Sequence, residues 1–342
     1  MLVDAGAGIA ATPLEIEAAA AAAEAAGYDG FGVPETRHDA FTSLALAARA
    51  TSAITLHSGI AVAFARNPMS MAAAANDIQV ISAGRFQLGL GSQVRPHIER
   101  RFSMPWSHPA ARMEEFIAAV RAIWQSWASG ERLAFRGQFY HHTLMTDFFN
   151  PGPNPYGNPP VVLAAVGPLM TKVAGRVADG MLCHSFTTEA YLRERTLPAL
   201  REARGSLDGF GVSLPVFAVL GADQGRRSVA EAGVRAQVAF YGSTPAYKPV
   251  LELHGWGGLA DELNALSRRQ AWAEMGSLIS DDVLDAFAVA GSPAQVAHEL
   301  LSRFGDVVTR ISLYTPYRAD PEDIAAVTAA LRAAPDMPAG LQ

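Results

Sequence analysis

Apolar and polar positions succeed one another along this chain in a pattern that predicts strands and helices in alternation. The predicted strands are Leu2–Ala5, Asp29–Val33, Ile54–Val62, Arg85–Leu90, Val161–Ala164, Gly180–Cys183, Leu214–Gly221 and Val307–Leu313. Helical patterns follow these strands and begin near Thr12, Phe41, Asn67, Ala110, Pro168, Thr188, Ser228 and Pro321. Because strict alternation is typical of parallel sheets, eight such units predict an α/β fold of the (β/α)8 TIM-barrel type.

Two longer stretches interrupt this alternation and predict insertions in a single domain that spans residues 1–342. The first insertion covers about residues 92–157 and holds several aromatic side chains, and five prolines lie between residues 151 and 160. These aromatic residues indicate either an apolar substrate pocket or the packed core of a lid over the barrel. The second insertion covers about residues 241–290, because the interval from Gln224 to Phe304 is far longer than one crossover helix.

The composition indicates which binding partners and which cellular compartment to expect. The formal net charge is −6 and the 27 Lys and Arg residues are scattered, which argues against nucleic acid or an anionic membrane as partner. The single cysteine, Cys183, excludes an intrachain disulfide and fits a reducing compartment, and its place in an apolar strand indicates core packing. No apolar window approaches the length of a membrane span. We therefore expect a cytoplasmic protein with a small-molecule substrate.

Polar and small residues follow several predicted strands at the point where each strand ends. The carboxyl ends of barrel strands meet on one face, which carries the chemistry of such folds. Glu35 with Arg37 and Asp39 also fits a surface ion cluster, and His38 also fits a solvated loop. The candidates at successive strand ends are Glu35 and His38; His57, Ser58, Gly59 and Ile60; Gly91, Ser92, Gln93 and His97; Ala165, Val166, Gly167 and Pro168; and His184.

The segment Gly167–Thr171 predicts an anion site. A glycine and then a proline open the fifth helix, which leaves the N–H groups of its first turn free to bind an anion. An ordinary helix start gives the same pattern. No lysine of a Walker-type loop precedes Thr171, so a phosphate monoester or diester fits better than a nucleoside triphosphate. The Gly89-Leu90-Gly91 turn lacks the third glycine of a dinucleotide fingerprint, because Val94 stands there.

Other catalytic patterns are missing from the sequence. The nine histidines form no HExxH motif, so no metal site is predicted. No GxSxG sequence marks a serine nucleophile.

Five groups of residues, spread over most of the chain, carry a resemblance to a known family. They are Ala25–Gly30, Gly84–Gly91, the helix with Arg112, Glu115 and Trp124, Ala164–Pro168 with Ala178–Gly180, and Gly291–Pro293. Their order and spacing resemble the luciferase-like monooxygenase superfamily and, within it, the coenzyme F-420-dependent oxidoreductases. The resemblance implies a (β/α)8 barrel with a flavin or deazaflavin across its C-terminal mouth.

The resemblance also implies which residues bind that cofactor. Its phosphate is expected at Val166, Gly167 and Pro168 and at the helix start with Met170 and Thr171. A cis non-prolyl bulge after the third strand, which backs the ring in family members, maps to Ser58, Gly59 and Ile60. The remaining residues that we expect to bind the cofactor are Gly91, Ser92, Gln93, Ala165 and His184.

Departures from the family pattern bear on the substrate. Sugar-phosphate dehydrogenases of the family place Asp-His after the second strand, where this chain has Glu35-Thr36. Their catalytic glutamate falls at Val94 and a following asparagine at His97, while Ser185–Thr187 replace the lysines that hold a sugar phosphate. Glucose-6-phosphate is therefore disfavoured as substrate. Since imidazole titrates near neutral pH, the predicted catalytic residues are His38 and His97, together with Glu35.

The sequence thus predicts an enzyme that transfers a hydride between C5 of coenzyme F-420 and an unidentified organic substrate. A reduced-FMN monooxygenase on the same barrel is the alternative. A binding protein without a cofactor is the second alternative, since the family glutamate is missing at Val94. A homodimer is compatible with the sequence.

Overall fold

The computed structural model describes residues 1–333, which fall into two compact units. The N-terminal unit comprises Asp4–Ala164 and Val173–Met181, and the C-terminal unit comprises Met1–Val3, Ala165–Lys172 and the described chain from Leu182. The strands are β1 (Leu2–Gly6), β2 (Gly30–Val33), β3 (Thr55–Ser58), β4 (Ala61–Val62), β5 (Phe86–Gly91), β6 (Phe135–Arg136), β7 (His141–His142), β8 (Val161–Ala165), β9 (Gly180–Cys183), β10 (Gly211–Val219), β11 (Ala288–Ala290) and β12 (Arg310–Tyr314).

Helices connect most of these strands. They are α1 (Pro13–Ala25), α2 (Ala40–Ala50), α3 (Pro68–Ile81), α4 (Pro109–Ser129), α5 (Gly167–Val177), α6 (Glu189–Tyr191), α7 (Leu197–Arg204), α8 (Gln224–Gly242), α9 (Lys248–Leu253), α10 (Gly257–Arg268), α11 (Trp272–Met275), α12 (Asp281–Phe287), α13 (Pro293–Phe304) and α14 (Pro321–Ala333). Among residues 1–333, no helix is both long and apolar enough to cross a bilayer.

The N-terminal unit is built on a parallel sheet. Strands β1, β2, β3, β5 and β8 lie side by side in that order, and Gly32 of β2 pairs with His57 of β3. Helix α1 begins after Thr12, whose side chain forms a reciprocal capping box with Glu15. Helices α1 to α4 pack on one another in sequence order. Apolar strand residues such as Phe31 are fully buried, as expected for a parallel sheet covered by helices.

The C-terminal unit is organised around β10. This strand pairs in parallel with β12 through Ser213–Phe217 and with β11 through Phe217–Val219. Helices α8 and α10 bury Val234, Val238 and Leu263 in one apolar cluster with the strand. Cys183 at the end of β9 is buried, as predicted, and burial raises the pKa of its thiol to about 12. A thiol with so high a pKa packs as an apolar side chain.

The predicted boundaries of two strands are wrong. The single third strand predicted over Ile54–Val62 is two strands, β3 and β4, separated by Gly59 and Ile60. The eighth strand begins at Arg310 and ends at Tyr314, later than the predicted Val307–Leu313. Val307 and Val308 are buried but lie before the strand. Their apolar character therefore indicated a strand start that is too early.

The interval predicted as a helical insertion also contains a strand. Residues Ala288–Ala290 form β11, which is too short to give an alternating pattern. Helix α8 begins at Gln224, ahead of the predicted Ser228, because the Asp223 side chain caps it by accepting from the Arg226 N–H.

The aromatic part of the first insertion divides into a packed and an exposed portion. Strands β6 and β7 form a short antiparallel hairpin, in which Phe135 pairs with His142. Tyr140 packs edge-on against Phe116 of α4. In contrast, Phe148 and Phe149 pack mainly on each other and expose 88% and 72% of their surface. Only the hairpin portion therefore has the packing that the lid interpretation predicted.

Candidate functional site

The break in the third strand is a cis peptide bond between Gly59 and Ile60, at the position that the resemblance implied. Just before it, the Ser58 hydroxyl donates to the Gly89 carbonyl at 2.8 Å and accepts from the Gly89 N–H at 2.9 Å. A Cβ atom on residue 89 would overlap the Ser58 carbonyl oxygen, so only glycine fits there. The bulge is thus held against β5 by a buried, reciprocal pair of hydrogen bonds.

Glu35 lies beside this bulge. Its carboxylate accepts from the Val62 N–H at 2.8 Å and pairs with the Arg66 guanidinium at 2.7 Å, and its side chain is only 7% exposed. Arg66 also pairs with Asp39 at 2.6 Å. The predicted alternative of a surface ion cluster therefore does not describe Glu35. Both of its partners hold the carboxylate in place, which is the geometry of a positioning group.

Asp39 joins the same network at the start of α2. Its carboxylate accepts from the Thr42 N–H at 2.7 Å as the cap of this helix. Burial alone would raise the pKa of Asp39, but the hydrogen bonds from Thr42 and the charge of Arg66 outweigh it and lower that pKa. The loop after β2 is therefore fixed at both of its ends.

The two predicted catalytic histidines are exposed. His97 opens a π-helical turn, His97–Arg101, and His38 lies in the loop after β2. Among residues 1–333, neither imidazole makes a hydrogen bond. The two loops are tied together by Arg101, which donates to the Thr36 carbonyl at 2.6 Å. Val94, where the family glutamate falls, is 52% exposed.

His57 is a half-buried polar residue that was predicted only as one of the candidates at the end of the third strand. Its Nε2 lies 3.6 Å from Asp4 Oδ2, and the imidazole occupies the space that a side chain on residue 32 would fill. A Cβ atom on Gly32 would lie 2.6 Å from His57 Cε1. The ring also lies beneath Gly59, where an added Cβ would be 3.7 Å from Nδ1. The sequence signal is indirect, since the pairing of His57 with Gly32 depends on strand register.

The residues after β5 turn the chain sharply. Gly91 ends β5 against Ile60, whose Cδ1 would lie 2.7 Å from a Cβ at residue 91. Ser92 donates to the Gln93 carbonyl at 3.0 Å, and the Gln93 side chain accepts from the Val94 N–H at 3.0 Å. Of these residues predicted to bind the cofactor, Gly91 lies against the bulge at Ile60. The side chains of Ser92 and Gln93 form hydrogen bonds within their own loop.

In the C-terminal unit, the predicted anion segment opens α5. Gly167 has φ +74°, and an added Cβ would meet no atom within 4 Å. The Thr171 hydroxyl donates to the Gly167 carbonyl at 2.9 Å and is buried. Val166 is 40% exposed, whereas Ala165 is buried at the end of β8. The first turn of this helix therefore presents backbone N–H groups beside an uncrowded glycine.

A cleft of about 400 Å³ lies at this helix start. Its walls include Gly167, Pro168, Thr171, Tyr191 and the exposed Arg195. Glu252 also lines the cleft, and its carboxylate is 3.9 Å from Lys248. The cleft thus brings the start of α5 beside one guanidinium, on Arg195, and one carboxylate, on Glu252.

His184 belongs to a group of half-buried aromatic residues in the same unit. Its ring stacks on Tyr247 and meets Tyr241 edge-on, with both centroid distances 4.6 Å. The Phe186 N–H donates to His184 Nδ1 at 3.0 Å, and burial lowers the pKa of His184 to about 4. The Tyr241 and Tyr314 hydroxyls are 3.2 Å apart. We call His184, Tyr241, Tyr247 and Tyr314 the aromatic donor cluster.

Two residues of α4 that carried the resemblance organise the aromatic hairpin. The Glu115 carboxylate accepts from the backbone N–H groups of residues 138 to 140 at 2.6–2.7 Å. Arg112 donates to the Tyr140 hydroxyl at 2.8 Å and lies over the Phe64 ring. The third, Trp124, donates to the Ala72 carbonyl at 3.0 Å and joins α4 to α3.

Comparisons with known proteins give a matching family model and several relatives. A model of the luciferase-like monooxygenase family matches residues 3–310. An uncharacterised protein of Mycobacterium tuberculosis is 51% identical over 297 residues, which cover 86% of this chain and 87% of that protein. The 5,10-methylenetetrahydromethanopterin reductase of Archaeoglobus fulgidus is 26% identical over 319 residues, which cover 90% of this chain and 91% of that protein.

A solved structure shows the fold. The coenzyme F-420 dependent tetrahydromethanopterin reductase from Methanopyrus kandleri superposes with a TM-score of 0.77 at 20% identity. The match covers 96% of this chain and 97% of that chain. The predicted (β/α)8 barrel is confirmed. Among residues 1–333, no cluster of three or more side chains is suited to bind a metal ion.

Proposed function

Since the chain belongs to the luciferase-like monooxygenase family, we propose that it is a coenzyme F-420-dependent oxidoreductase. Its reaction would transfer a hydride between C5 of the deazaflavin and an organic substrate. A structural neighbour with the same fold, the Methanopyrus kandleri reductase, depends on coenzyme F-420. FMN is the cofactor of the alternative proposal, a luciferase-like monooxygenase.

The observation that carries this proposal is the start of α5. Gly167 leaves the N–H groups of the first helical turn uncrowded, and the adjoining cleft of about 400 Å³ holds Arg195. A helix N-terminus and a guanidinium both favour a phosphate. We assign the phosphate of the cofactor to Val166, Gly167 and Pro168 and to the N–H groups of Met170 and Thr171.

The residues of the N-terminal unit fit the ring of such a cofactor. Ser58, Gly59 and Ile60 form a bulge that hydrogen bonds to Gly89 hold in one position. Glycine at residue 59 allows a flat ring to approach the backbone closely. A bound coenzyme F-420 supplies or accepts the hydride, and the protein positions it and excludes water. Gly91 completes this surface through its contact with Ile60.

The accompanying proton is assigned to an imidazole. His38 and His97 are the candidates for this role, and both are exposed. Glu35, whose carboxylate already binds Arg66 and the Val62 N–H, contributes by fixing the loop that carries His38. Replacement of both histidines by alanine tests this assignment, because wild-type turnover in the double variant would contradict it.

A cofactor titration tests the proposed function. Oxidised coenzyme F-420 and FMN are added separately to the purified protein, and the absorbance change gives each dissociation constant. We expect coenzyme F-420 to bind more tightly. The variant Gly167→Ala should bind it about tenfold more weakly, because a methyl group at positive φ distorts the first turn of α5.

A matched variant separates local strain from cofactor binding. Gly205 also has positive φ and open space around an added Cβ, and it lies in the same unit after α7. Gly205→Ala should therefore bind coenzyme F-420 as the wild type does. Tighter binding of FMN would support the monooxygenase alternative, and binding of neither cofactor would support a binding protein without a cofactor.

A further inference from the structure

The aromatic donor cluster offers hydrogen-bond donors for which residues 1–333 provide no acceptor. Because His184 Nδ1 accepts from the Phe186 N–H, the proton of the neutral ring is on Nε2. Among residues 1–333, this Nε2–H has no hydrogen-bond partner. The imidazole is held in one orientation by its stack on Tyr247. It is therefore a fixed, neutral donor.

The tyrosine pair contributes a second donor. When one of the Tyr241 and Tyr314 hydroxyls donates to the other, the hydrogen of the accepting hydroxyl remains available. Burial raises the pKa of Tyr314, and its hydrogen bond to Tyr241 raises it further, so the Tyr314 phenol keeps its proton at neutral pH. Tyr314 stacks on Phe217 at 4.9 Å, which fixes its ring.

The cluster carries no formal charge. Burial is the only cause of the lowered pKa of His184, and the pKa of Tyr247 is raised to about 12 by burial and by Tyr241. Phe186 and Phe217 pack behind these rings. An anionic group placed here would lose its hydration without gaining a cation. The surface therefore suits a neutral ligand with an apolar face and a hydrogen-bond acceptor.

The cluster lies where barrel enzymes carry their chemistry. Tyr314 is the last residue of β12, and His184 directly follows β9. Residues at the carboxyl ends of barrel strands are those that meet substrates.

We propose that the aromatic donor cluster binds the substrate, and that this substrate is an uncharged planar ring compound with a carbonyl or imine acceptor. The proposal rests on the proposed function, since it names the substrate class of the same reaction. It assigns His184 to the substrate in place of the cofactor role expected from the sequence. The Nε2–H of His184 and the free hydroxyl of the tyrosine pair would donate to the acceptor atom.

Binding of a probe pair tests this proposal. Chromone is a neutral planar ring ketone, and chromone-2-carboxylate is the same ring with a negative charge at neutral pH. Each is titrated calorimetrically into the full chain, with and without saturating oxidised coenzyme F-420. We expect chromone to bind and chromone-2-carboxylate to bind at least tenfold more weakly.

Conservative variants locate the probe. Tyr314→Phe and Tyr241→Phe keep the ring contacts and remove one hydroxyl, so each should weaken chromone binding about 3- to 10-fold. Tyr156→Phe is the matched control, because Tyr156 is an exposed tyrosine of the N-terminal unit. It should leave chromone binding unchanged, and all three variants should keep the wild-type affinity for coenzyme F-420.

The outcomes separate the two proposals. Equal binding of both probes, no chromone binding by the wild type, or unchanged binding in both cluster variants would overturn the assignment of the cluster. If the predicted chromone pattern holds while coenzyme F-420 fails to bind the wild type, the cluster is a ligand site and the proposed function is wrong.

Discussion

His184 illustrates how burial of one side chain makes stability depend on pH. The folded protein holds its imidazole with a pKa of about 4, because burial disfavours the charged ring. In the unfolded chain a histidine titrates near its ordinary pKa of about 6.5. Between these two values the unfolded chain binds a proton that the folded protein does not bind. Stability from this group is therefore complete above about pH 6.5 and decreases as the pH falls toward 4.

We predict that this histidine accounts for about 3 kcal/mol of the loss of unfolding free energy between pH 7.5 and pH 4. Urea unfolding at a series of pH values measures it in the wild type and in His184→Phe. The variant should lose less stability across this window. His298→Phe, at an exposed position of α13, should keep the wild-type dependence. An identical pH dependence in His184→Phe would show that burial does not shift the pKa.

Individual residues were predictable only where their chemistry is local. The capping residues and the buried thiol of Cys183 follow from neighbouring sequence. The contact between His57 and Asp4 does not, because it depends on the register of three strands. Likewise, the engagement of Glu35 by Arg66 links residues that are distant in sequence.

At the scale of elements, a side chain of α4 holds the turn of the β6–β7 hairpin. The Glu115 carboxylate satisfies three consecutive backbone N–H groups of the hairpin turn. Gly137 lies so close to this carboxylate that an added Cβ would overlap it. A helix residue thereby acts as the cap of a separate loop.

Replacement of Glu115 by glutamine should release this turn. The amide oxygen can accept in place of one carboxylate oxygen, but the amide nitrogen would face backbone N–H groups. We expect a loss of about 1–3 kcal/mol in unfolding free energy and faster proteolytic cleavage within residues 135–142. Glu131→Gln, at an exposed position after α4, serves as the control. Equal cleavage rates in the two variants would contradict the capping role.

Elements were predictable to the extent that their hydrophobic pattern is long enough. Strand β9 was predicted with its observed bounds, since Gly180 and Cys183 enclose a distinct apolar run. The strand β11 has three residues and no readable period. The division of the third strand at Gly59 came from the family resemblance, because the pattern of apolar residues continues across it.

At the scale of the whole molecule, alternation of strands and helices was sufficient to predict a (β/α)8 barrel. The count of eight units depended on runs of buried apolar residues, which the structure contains in both units. The substrate was not predictable in this way. The donors of the aromatic donor cluster lie between residues 184 and 314. They are distant in sequence, so only the folded chain brings them together.

Cofactor binding should stabilise the whole molecule. A ligand that binds only the folded state adds about 2.7 kcal/mol at a concentration of 100 times its dissociation constant. We therefore expect coenzyme F-420 to raise the thermal unfolding midpoint, and FMN at the same concentration to raise it less. Differential scanning calorimetry measures both shifts. A larger shift with FMN would contradict the choice of coenzyme F-420.

The fit between Gly32 and His57 couples the effects of substitutions at these two positions. A side chain at residue 32 would collide with the imidazole, so any larger residue there must be preceded by a smaller one at residue 57. The order of substitution matters, since a change at 57 leaves a void whereas a change at 32 creates an overlap. Recombination between relatives that differ at both sites would therefore give one chain with a steric overlap and one chain with a void.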